Sequence, residues 1–249
     1  MQFRISDEII TVNTATRVSL MAEVRARFRA KAGFALATLN LDHMVKLRSD
    51  AAFRTAYAAQ DIVVADGNPI VWLSRLAGHP VDLVPGSDLL RPLLELAAAE
   101  GVKVAFYGSS PEVLNTAKTR LMAEVPGLHV VWTGSPSMGF DPEGTDAMAA
   151  LADMQAAGVG LCILSLSAPR QERFAILGRS LAPGIGFCSF GAGLDFIAGG
   201  QVRAPAWVRA IAMEWAWRAL SAPRRLIPRY AACAAILPGL TVDALRKRP

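Results

Sequence analysis

An aspartate closes a short apolar run in the stretch DIVVADG, which spans residues 61–67. Four apolar residues precede Asp66 and a glycine follows it, so the stretch predicts a buried strand that ends at a carboxylate. A carboxylate in this place can belong to a ligand site at the rim of a sheet. It can equally cap the helix that follows the strand. The pattern alone does not choose between these two roles.

Polar and glycine residues also follow other apolar runs of the chain. The carboxyl ends of parallel strands lie along one edge of a sheet, and open α/β sheets bind their ligands there. We therefore expect Asp66 to share that edge with four further segments. These are residues 38–43, 108–110, 167–172 and 191–195. The ordinary interpretation of GSSPE at 108–112 is a tight turn in which Ser110 caps a helix.

Six apolar runs predict the strands that position these residues. They are 34–41, 62–65, 102–108, 129–132, 159–167 and 185–191. Patterns that predict helices lie between most of them, for example at 87–101, 110–125 and 145–158. This alternation predicts an α/β fold with a doubly wound, mostly parallel, Rossmann-like sheet.

Metal and cofactor motifs are missing from the sequence. The three histidines are scattered and the three cysteines lack paired spacing, which argues against zinc. No G-x-G-x-x-G opens the first βα unit, and no P-loop or D-x-D pair is present. We therefore predict neither a metal nor a cofactor. If the ligand is a diphosphate, arginine forks must bind its oxygens. The candidates are Arg170, Arg218, Arg224, Arg225 and Arg229.

The composition changes near residue 200. We predict an α/β core over residues 1–200 and a basic, aromatic appendage over 201–249, with a helix at 206–221 that is interrupted near Pro223. The appendage carries nine Lys and Arg against two acidic residues and has three of the five tryptophans. Its charge suggests an anionic partner, which is a phosphorylated ligand, a nucleic acid or an acidic membrane. The alternative is a solvated face that covers apolar surface.

The sequence predicts a cytoplasmic protein without a transmembrane helix. The first twenty residues contain polar and acidic side chains where a signal peptide needs an apolar core, and no apolar stretch reaches the roughly 18 to 20 residues of a membrane span. The cysteines favour buried thiols in a reducing compartment. From the residues alone, the expectation is a cytoplasmic α/β protein that binds a phosphorylated ligand.

Several segments together resemble the WecG/TagA/CpsF glycosyltransferase family, in its order and spacing across residues 34–231. They are residues 38–72, GSDLL at 86–90, APRQERF at 168–174, GAGLDFIAG at 191–199, and 203–230. The resemblance implies transfer of a sugar from a UDP-sugar donor to a polyprenyl-diphosphate-linked acceptor at the inner face of the bacterial membrane. It also implies an appendage that docks on that membrane, in cell-wall or exopolysaccharide synthesis.

The resemblance also implies roles for individual residues. Asp66 is the implied general base, and direct attack of the acceptor would invert the anomeric carbon. The implied substrate-binding residues of the core are Thr38, Asn40, Gly86, Ser87, Asp88, Gly108, Arg170 and Gln171. Arg218, Arg224 and Arg225 are expected to neutralise the donor or lipid diphosphate.

Two other classes of function compete with this interpretation. One is a non-catalytic protein that binds a nucleotide sugar or a lipid within a polysaccharide assembly complex. The other is a nucleic-acid-binding protein, which fares worse because the tail arginines alternate with tryptophans and alanines of the buried type. We therefore predict no nucleic-acid partner. The apolar content suits a homo-oligomer, but the sequence fixes neither the number of subunits nor the donor sugar.

Overall fold

The computed structural model describes residues 1–200, 205, 208, 213–221 and 223–248. Within the C-terminal helices, the side chains at positions 214, 218, 221 and 225 lie outside the described atoms. The predicted helix at 206–221 is therefore described only in part. Its described portion ends at Ser221, next to the predicted interruption.

Eight strands form two sheets. Strands β1 (Gln2–Ile5) and β2 (Glu8–Thr11) make a small antiparallel hairpin that the sequence patterns did not predict. The other strands are β3 (Phe34–Leu39), β4 (Ile62–Ala65), β5 (Val104–Gly108), β6 (Val130–Gly134), β7 (Leu161–Ser165) and β8 (Gly186–Ser189). They form one six-stranded sheet in the order β4-β3-β8-β7-β5-β6, with every pair parallel. The predicted parallel sheet and its six strands are confirmed.

Helices cover both faces of this sheet. They are α1 (Arg17–Ala30), α2 (Leu41–Ser49), α3 (Ala51–Ala58), α4 (Asn68–Leu76), α5 (Gly86–Ala99), α6 (Pro111–Glu124), α7 (Thr145–Ala156), α8 (Arg170–Leu181), α9 (Gly193–Ala198), α10 (Glu214–Ser221) and α11 (Pro223–Arg246). Helices α1, α5, α6 and α9 share an apolar core with one face. Helices α2, α3, α4, α7 and α8 pack on the other face. The doubly wound architecture is thus confirmed, since helices pack on both faces of the sheet and five of its six strands are fully buried, the exception being the edge strand β6.

The topology opens crevices at the carboxyl edge of the sheet. The helices that follow β3 and β7 pack on one face, whereas those that follow β5 and β8 pack on the other. Strand β3 neighbours β8, and β7 neighbours β5. The chain therefore leaves these adjacent strands toward opposite faces of the sheet, and open α/β sheets bind their ligands at such a point.

The C-terminal helix α11 packs against the core. It contacts α2 and α4, and its residues Leu240 and Ala244 are buried in the apolar cluster that also contains the β1–β2 hairpin. The Lys247 Nζ atom donates a hydrogen bond to the Gln2 carbonyl oxygen (2.7 Å). Among the described helices, none has both the length and the apolar character that a membrane crossing requires. The division of the chain at residue 200 stays a prediction.

Candidate active site at the carboxyl edge of the sheet

Asp66 lies at the carboxyl edge beside Thr38. The parallel pairing of β3 with β4 places Thr38 opposite Val64 and Leu39 opposite Ala65, so Asp66 is the first residue beyond the paired strands. Its amide donates to the Leu39 carbonyl oxygen (2.8 Å), which fixes the backbone at this point. The Thr38 hydroxyl donates to Asp66 Oδ2 (3.4 Å). The half-buried carboxylate thus ends β4 next to a hydroxyl from β3.

Asp66 does not cap the following helix. The residue at the cap position of α4 is Gly67, and no side chain accepts a capping hydrogen bond there. Gly67 has a φ of 141°, a conformation that favours glycine because it has no Cβ atom. The capping interpretation of Asp66 is therefore wrong, and the role of general base that the family resemblance implies stays a prediction.

The start of α5 forms another wall of this part of the edge. Gly86 is buried, and a Cβ atom on it would lie 3.0 Å from a ring carbon of Phe190 and 3.4 Å from the Thr38 methyl group. The ends of β3 and β8 and the start of α5 are therefore in contact. Ser87 and Asp88 follow in the first turn of α5 and are half-buried. The structure thus brings this predicted group next to Thr38.

Asn40 has a local structural task as well as its predicted one. It is the cap residue of α2, and its Oδ1 atom accepts a hydrogen bond from the His43 amide (3.1 Å). A Cβ atom on Gly67 would lie 3.7 Å from the Asn40 Cβ atom, so Asn40 also borders the Asp66 loop. Its predicted contact with a sugar stays a prediction.

A second part of the edge surrounds the ends of β5 and β7. Gly108 has a φ of 106°, and a Cβ atom on it would lie 2.5 Å from the Ser165 carbonyl oxygen. The Ser109 hydroxyl donates to Asp195 Oδ1 (3.1 Å). The Ser165 hydroxyl is shared between the Gly191 carbonyl oxygen (2.5 Å) and Asp195 Oδ2 (3.4 Å). Asp195 therefore connects α9 to the ends of both strands.

Residues 191–195 were predicted to lie at the edge, but the sequence pattern did not single out Asp195. The signal available was its place in GAGLDF, directly after the last strand. In the neighbouring loop, Ser110 caps α6 by accepting a hydrogen bond from the Val113 amide (3.4 Å), as predicted.

Arg170 and Gln171 begin α8 and differ in exposure. Arg170 is exposed, whereas only 3 % of Gln171 is exposed. Gln171 Oε1 accepts a hydrogen bond from the Gly191 amide (2.9 Å), and its Nε2 donates to Glu172 Oε1 (2.8 Å). Gln171 therefore holds the turn after β8 through its hydrogen bond with the Gly191 amide. Its predicted contact with substrate stays a prediction.

Three buried ionisable side chains lie behind this edge. Burial lowers the pKa of His43 to about 4, so this ring is neutral at neutral pH. Burial raises the pKa of the Tyr57 hydroxyl, and the Glu172 and Asp66 carboxylates raise it further. Burial also raises the pKa of Glu172 to about 7. The layer behind the edge is therefore largely uncharged.

The C-terminal helix reaches this region through Arg229. Its guanidinium pairs with the Asp42 carboxylate (2.7 Å), which also pairs with Lys46 (3.0 Å). Burial alone would raise the pKa of Asp42, but the charges of Arg229 and Lys46 outweigh burial and hold it below its usual value. Arg229 thus connects α11 to the first turn of α2, two residues after Asn40.

The predicted phosphate-binding arginines of the tail are only partly described. Arg224 is exposed in the first turn of α11. Arg218 and Arg225 belong to α10 and α11, but their side chains lie outside the described atoms. Within the described part of the chain, no three His, Cys, Asp or Glu side chains come together as metal ligands would.

The arrangement can perform proton transfer on a bound hydroxyl compound. It offers a half-buried carboxylate beside a hydroxyl, at the edge where a parallel sheet binds ligands. Comparison with protein families gives a match between residues 8–249 and the model of the glycosyl transferase WecG/TagA/CpsF family. The match extends through both the sheet and the C-terminal helices. The chain therefore belongs to the WecG/TagA/CpsF family of glycosyltransferases.

Proposed function

We propose that this protein is an inverting, metal-independent glycosyltransferase. It moves a hexose or N-acetylhexosamine-type sugar from a UDP-sugar to a polyprenyl-diphosphate-linked acceptor, in bacterial exopolysaccharide or cell-wall glycan synthesis. Family membership supports glycosyl transfer as the reaction class. The observation that carries the mechanism is the Asp66 carboxylate, which lies at the carboxyl edge beside the Thr38 hydroxyl and does not cap α4.

In this mechanism Asp66 acts as the general base. The acceptor hydroxyl attacks the anomeric carbon of the donor, and its proton passes to the Asp66 carboxylate as the new carbon–oxygen bond forms. The bond from the anomeric carbon to the UDP oxygen breaks, and UDP leaves with the electron pair. Because the attack is direct, the configuration at the anomeric carbon inverts. The Thr38 hydroxyl orients the carboxylate through its hydrogen bond.

Negative charge that develops on the leaving diphosphate requires cationic or N–H partners. The sequence lacks the paired aspartates that hold a divalent ion against a diphosphate, so arginine side chains take that role in the proposal. Arg170 and Arg224 are exposed near the starts of α8 and α11. Arg218 and Arg225 belong to the same proposed set.

We place the protein at the inner face of the plasma membrane, as a peripheral protein of the cytoplasm. Apolar side chains of the C-terminal helices are exposed, namely Trp215 (54 %), Leu220 (82 %) and Ile227 (57 %). The exposed Arg224 lies close to them in the sequence. Exposed aromatic and aliphatic side chains beside basic charge suit the interface of an anionic leaflet. The lipid-linked acceptor would be reached from this surface.

The test is UDP release from a panel of UDP-sugars, with and without a detergent-dispersed polyprenyl-diphosphate-linked sugar. We expect release from one donor only in the presence of the acceptor, undiminished by a chelator. The proton spectrum of the product should show an anomeric configuration opposite to that of the donor. Binding of UDP in a titration, without release from any donor and acceptor pair, would instead support a non-catalytic binding protein.

A further inference from the structure

Glu172 is a fully buried carboxyl group directly behind the carboxyl edge. It has an exposed fraction of 0 % and lies in the first turn of α8. Its Oε1 atom accepts the hydrogen bond from Gln171, whereas its Oε2 atom is buried without a hydrogen-bond partner among the described residues. No described Lys or Arg forms an ion pair with it. A buried carboxyl group of this kind costs stability, so its presence calls for a reason beyond packing.

We propose that Glu172 is a positioning residue for glycosyl transfer, which holds the Gln171 amide in the orientation that anchors the Gly191 turn. This proposal depends on the proposed function in one respect, namely that the reaction which Glu172 assists is glycosyl transfer. An amide side chain can be turned over, because its oxygen and nitrogen have nearly the same shape. The hydrogen bond to Glu172 Oε1 requires the Nε2 atom on its side, and this leaves Oε1 of Gln171 to accept from Gly191.

The anchored turn supports both parts of the edge. Phe190 precedes Gly191 in the chain. Its ring packs against Gly86 beside Thr38. The carbonyl oxygen of Gly191 itself accepts from the Ser165 hydroxyl, which also contacts Asp195. A displaced turn would therefore move the wall near Asp66 and the end of β7 together. Misplacement by about 1 Å can reduce turnover by about a hundredfold even when the altered residue is far from the chemistry.

The surroundings of Glu172 favour its neutral form. Burial raises its pKa to about 7. Hydrogen bonds from Gln171 and from its own backbone act in the opposite direction and lower the pKa, as does the charge of Lys46 on α2. Tyr57 on α3 also faces Glu172, since the Glu172 carboxylate raises the pKa of the Tyr57 hydroxyl, and that hydroxyl in turn contacts the neutral His43 ring of α2 (3.4 Å). In the loop between α3 and β4, the neutral Gln60 side chain donates to the Glu172 carbonyl oxygen (3.2 Å). Ionisation above pH 7 would leave a buried charge without an ion-pair partner among the described residues.

The experiment compares Glu172→Gln with Glu172→Leu, and uses Glu95→Gln at an exposed position of α5 as the control. Glutamine keeps the acceptor for Gln171 and carries no charge, so its kcat should stay within about threefold of wild type. Leucine removes the acceptor and should lower kcat by about tenfold to a hundredfold. Full kcat in the leucine variant, or equal defects in both variants, would overturn the proposal.

Two further readouts do not depend on any sugar transfer. Hydrogen exchange at the Gly191 amide should accelerate by about tenfold or more in Glu172→Leu and stay unchanged in Glu172→Gln, since only leucine frees the Gln171 amide. Unchanged protection in the leucine variant would overturn the positioning role even if the proposed donor is wrong. The second readout compares the urea midpoint of unfolding of wild type with that of Glu172→Gln.

The sign of that stability difference follows from linkage. The folded-state pKa of Glu172 is raised, so its contribution is fully present below the unfolded pKa near 4.3 and is lost as pH rises to about 7. The urea midpoint of wild type should therefore fall relative to that of Glu172→Gln between these pH values and run parallel to it above them. A difference between the two urea midpoints that stays constant over this pH range would contradict a Glu172 side chain that is buried in its neutral form.

Discussion

The two parts of the carboxyl edge are built in different ways. Around β5 and β7, Asp195 accepts hydrogen bonds from Ser109 and Ser165, and a Cβ atom on Gly108 would lie 2.5 Å from a backbone oxygen. Around β3 and β4, the Thr38 hydroxyl reaches Asp66 over 3.4 Å, and a Cβ atom on Gly67 would find its nearest neighbour at 3.7 Å. The first part is closely packed by the chain itself. The second is less tightly packed at its glycine, where a Cβ atom would make only an ordinary van der Waals contact.

Two glycine substitutions test this contrast, and the larger effect is expected at Gly108. Gly108→Ala places a methyl group against the Ser165 carbonyl oxygen at a positive φ, so strain and overlap act together. We expect the free energy of unfolding to fall by about 3 kcal/mol. Gly67→Ala carries the backbone strain alone and should cost about 1 kcal/mol. Urea denaturation followed by circular dichroism measures the free energy of unfolding of both variants. Equal losses would contradict the difference in packing between the two parts of the edge.

The smallest predicted effect concerns the support of the β3–β4 part by α11. Asp42 and Arg229 connect α2 to α11, so Asp42→Asn, Arg229→Gln and the double variant form a thermodynamic cycle. We expect a coupling free energy of about 0.5 kcal/mol at neutral pH, because the pair is partly exposed. Since the ion pair lowers the pKa of Asp42, the coupling should vanish as acid protonates that carboxylate. Zero coupling at neutral pH would mean that this pair does not hold α11.

The sheet could be predicted from the sequence because all of its strands except the edge strand β6 are buried on both faces. Such strands appear as continuous apolar runs, and the runs at 62–65 and 104–108 are fully buried in the structure. The β1–β2 hairpin was missed for the opposite reason. Its four-residue strands, QFRI and EIIT, mix charged and apolar residues. Their apolar side chains find a partner only in distant elements such as α11, which short patterns do not show.

The site could be predicted as a set of loop segments but not as a network of contacts. Asp66 was predicted as a candidate site residue because a carboxylate directly after an apolar run is a clear local signal. Ser109 and Asp195 are 86 positions apart in the chain, and no local pattern says which hydroxyl meets which carboxylate. Glu172 lies among charged residues in PRQERF, which suggests a solvated helix start, yet tertiary packing buries it completely.

The most direct test of the central claim is the transfer rate of Asp66→Asn at saturating donor and acceptor. Asp82→Asn, at an exposed position of the loop before α5, is the matched control. We predict that Asp66→Asn binds the donor as wild type does but transfers at least about a hundredfold more slowly, because asparagine cannot accept the proton of the attacking hydroxyl. Asp82→Asn should keep the wild-type rate. An Asp66→Asn enzyme with the full rate of transfer would contradict the account.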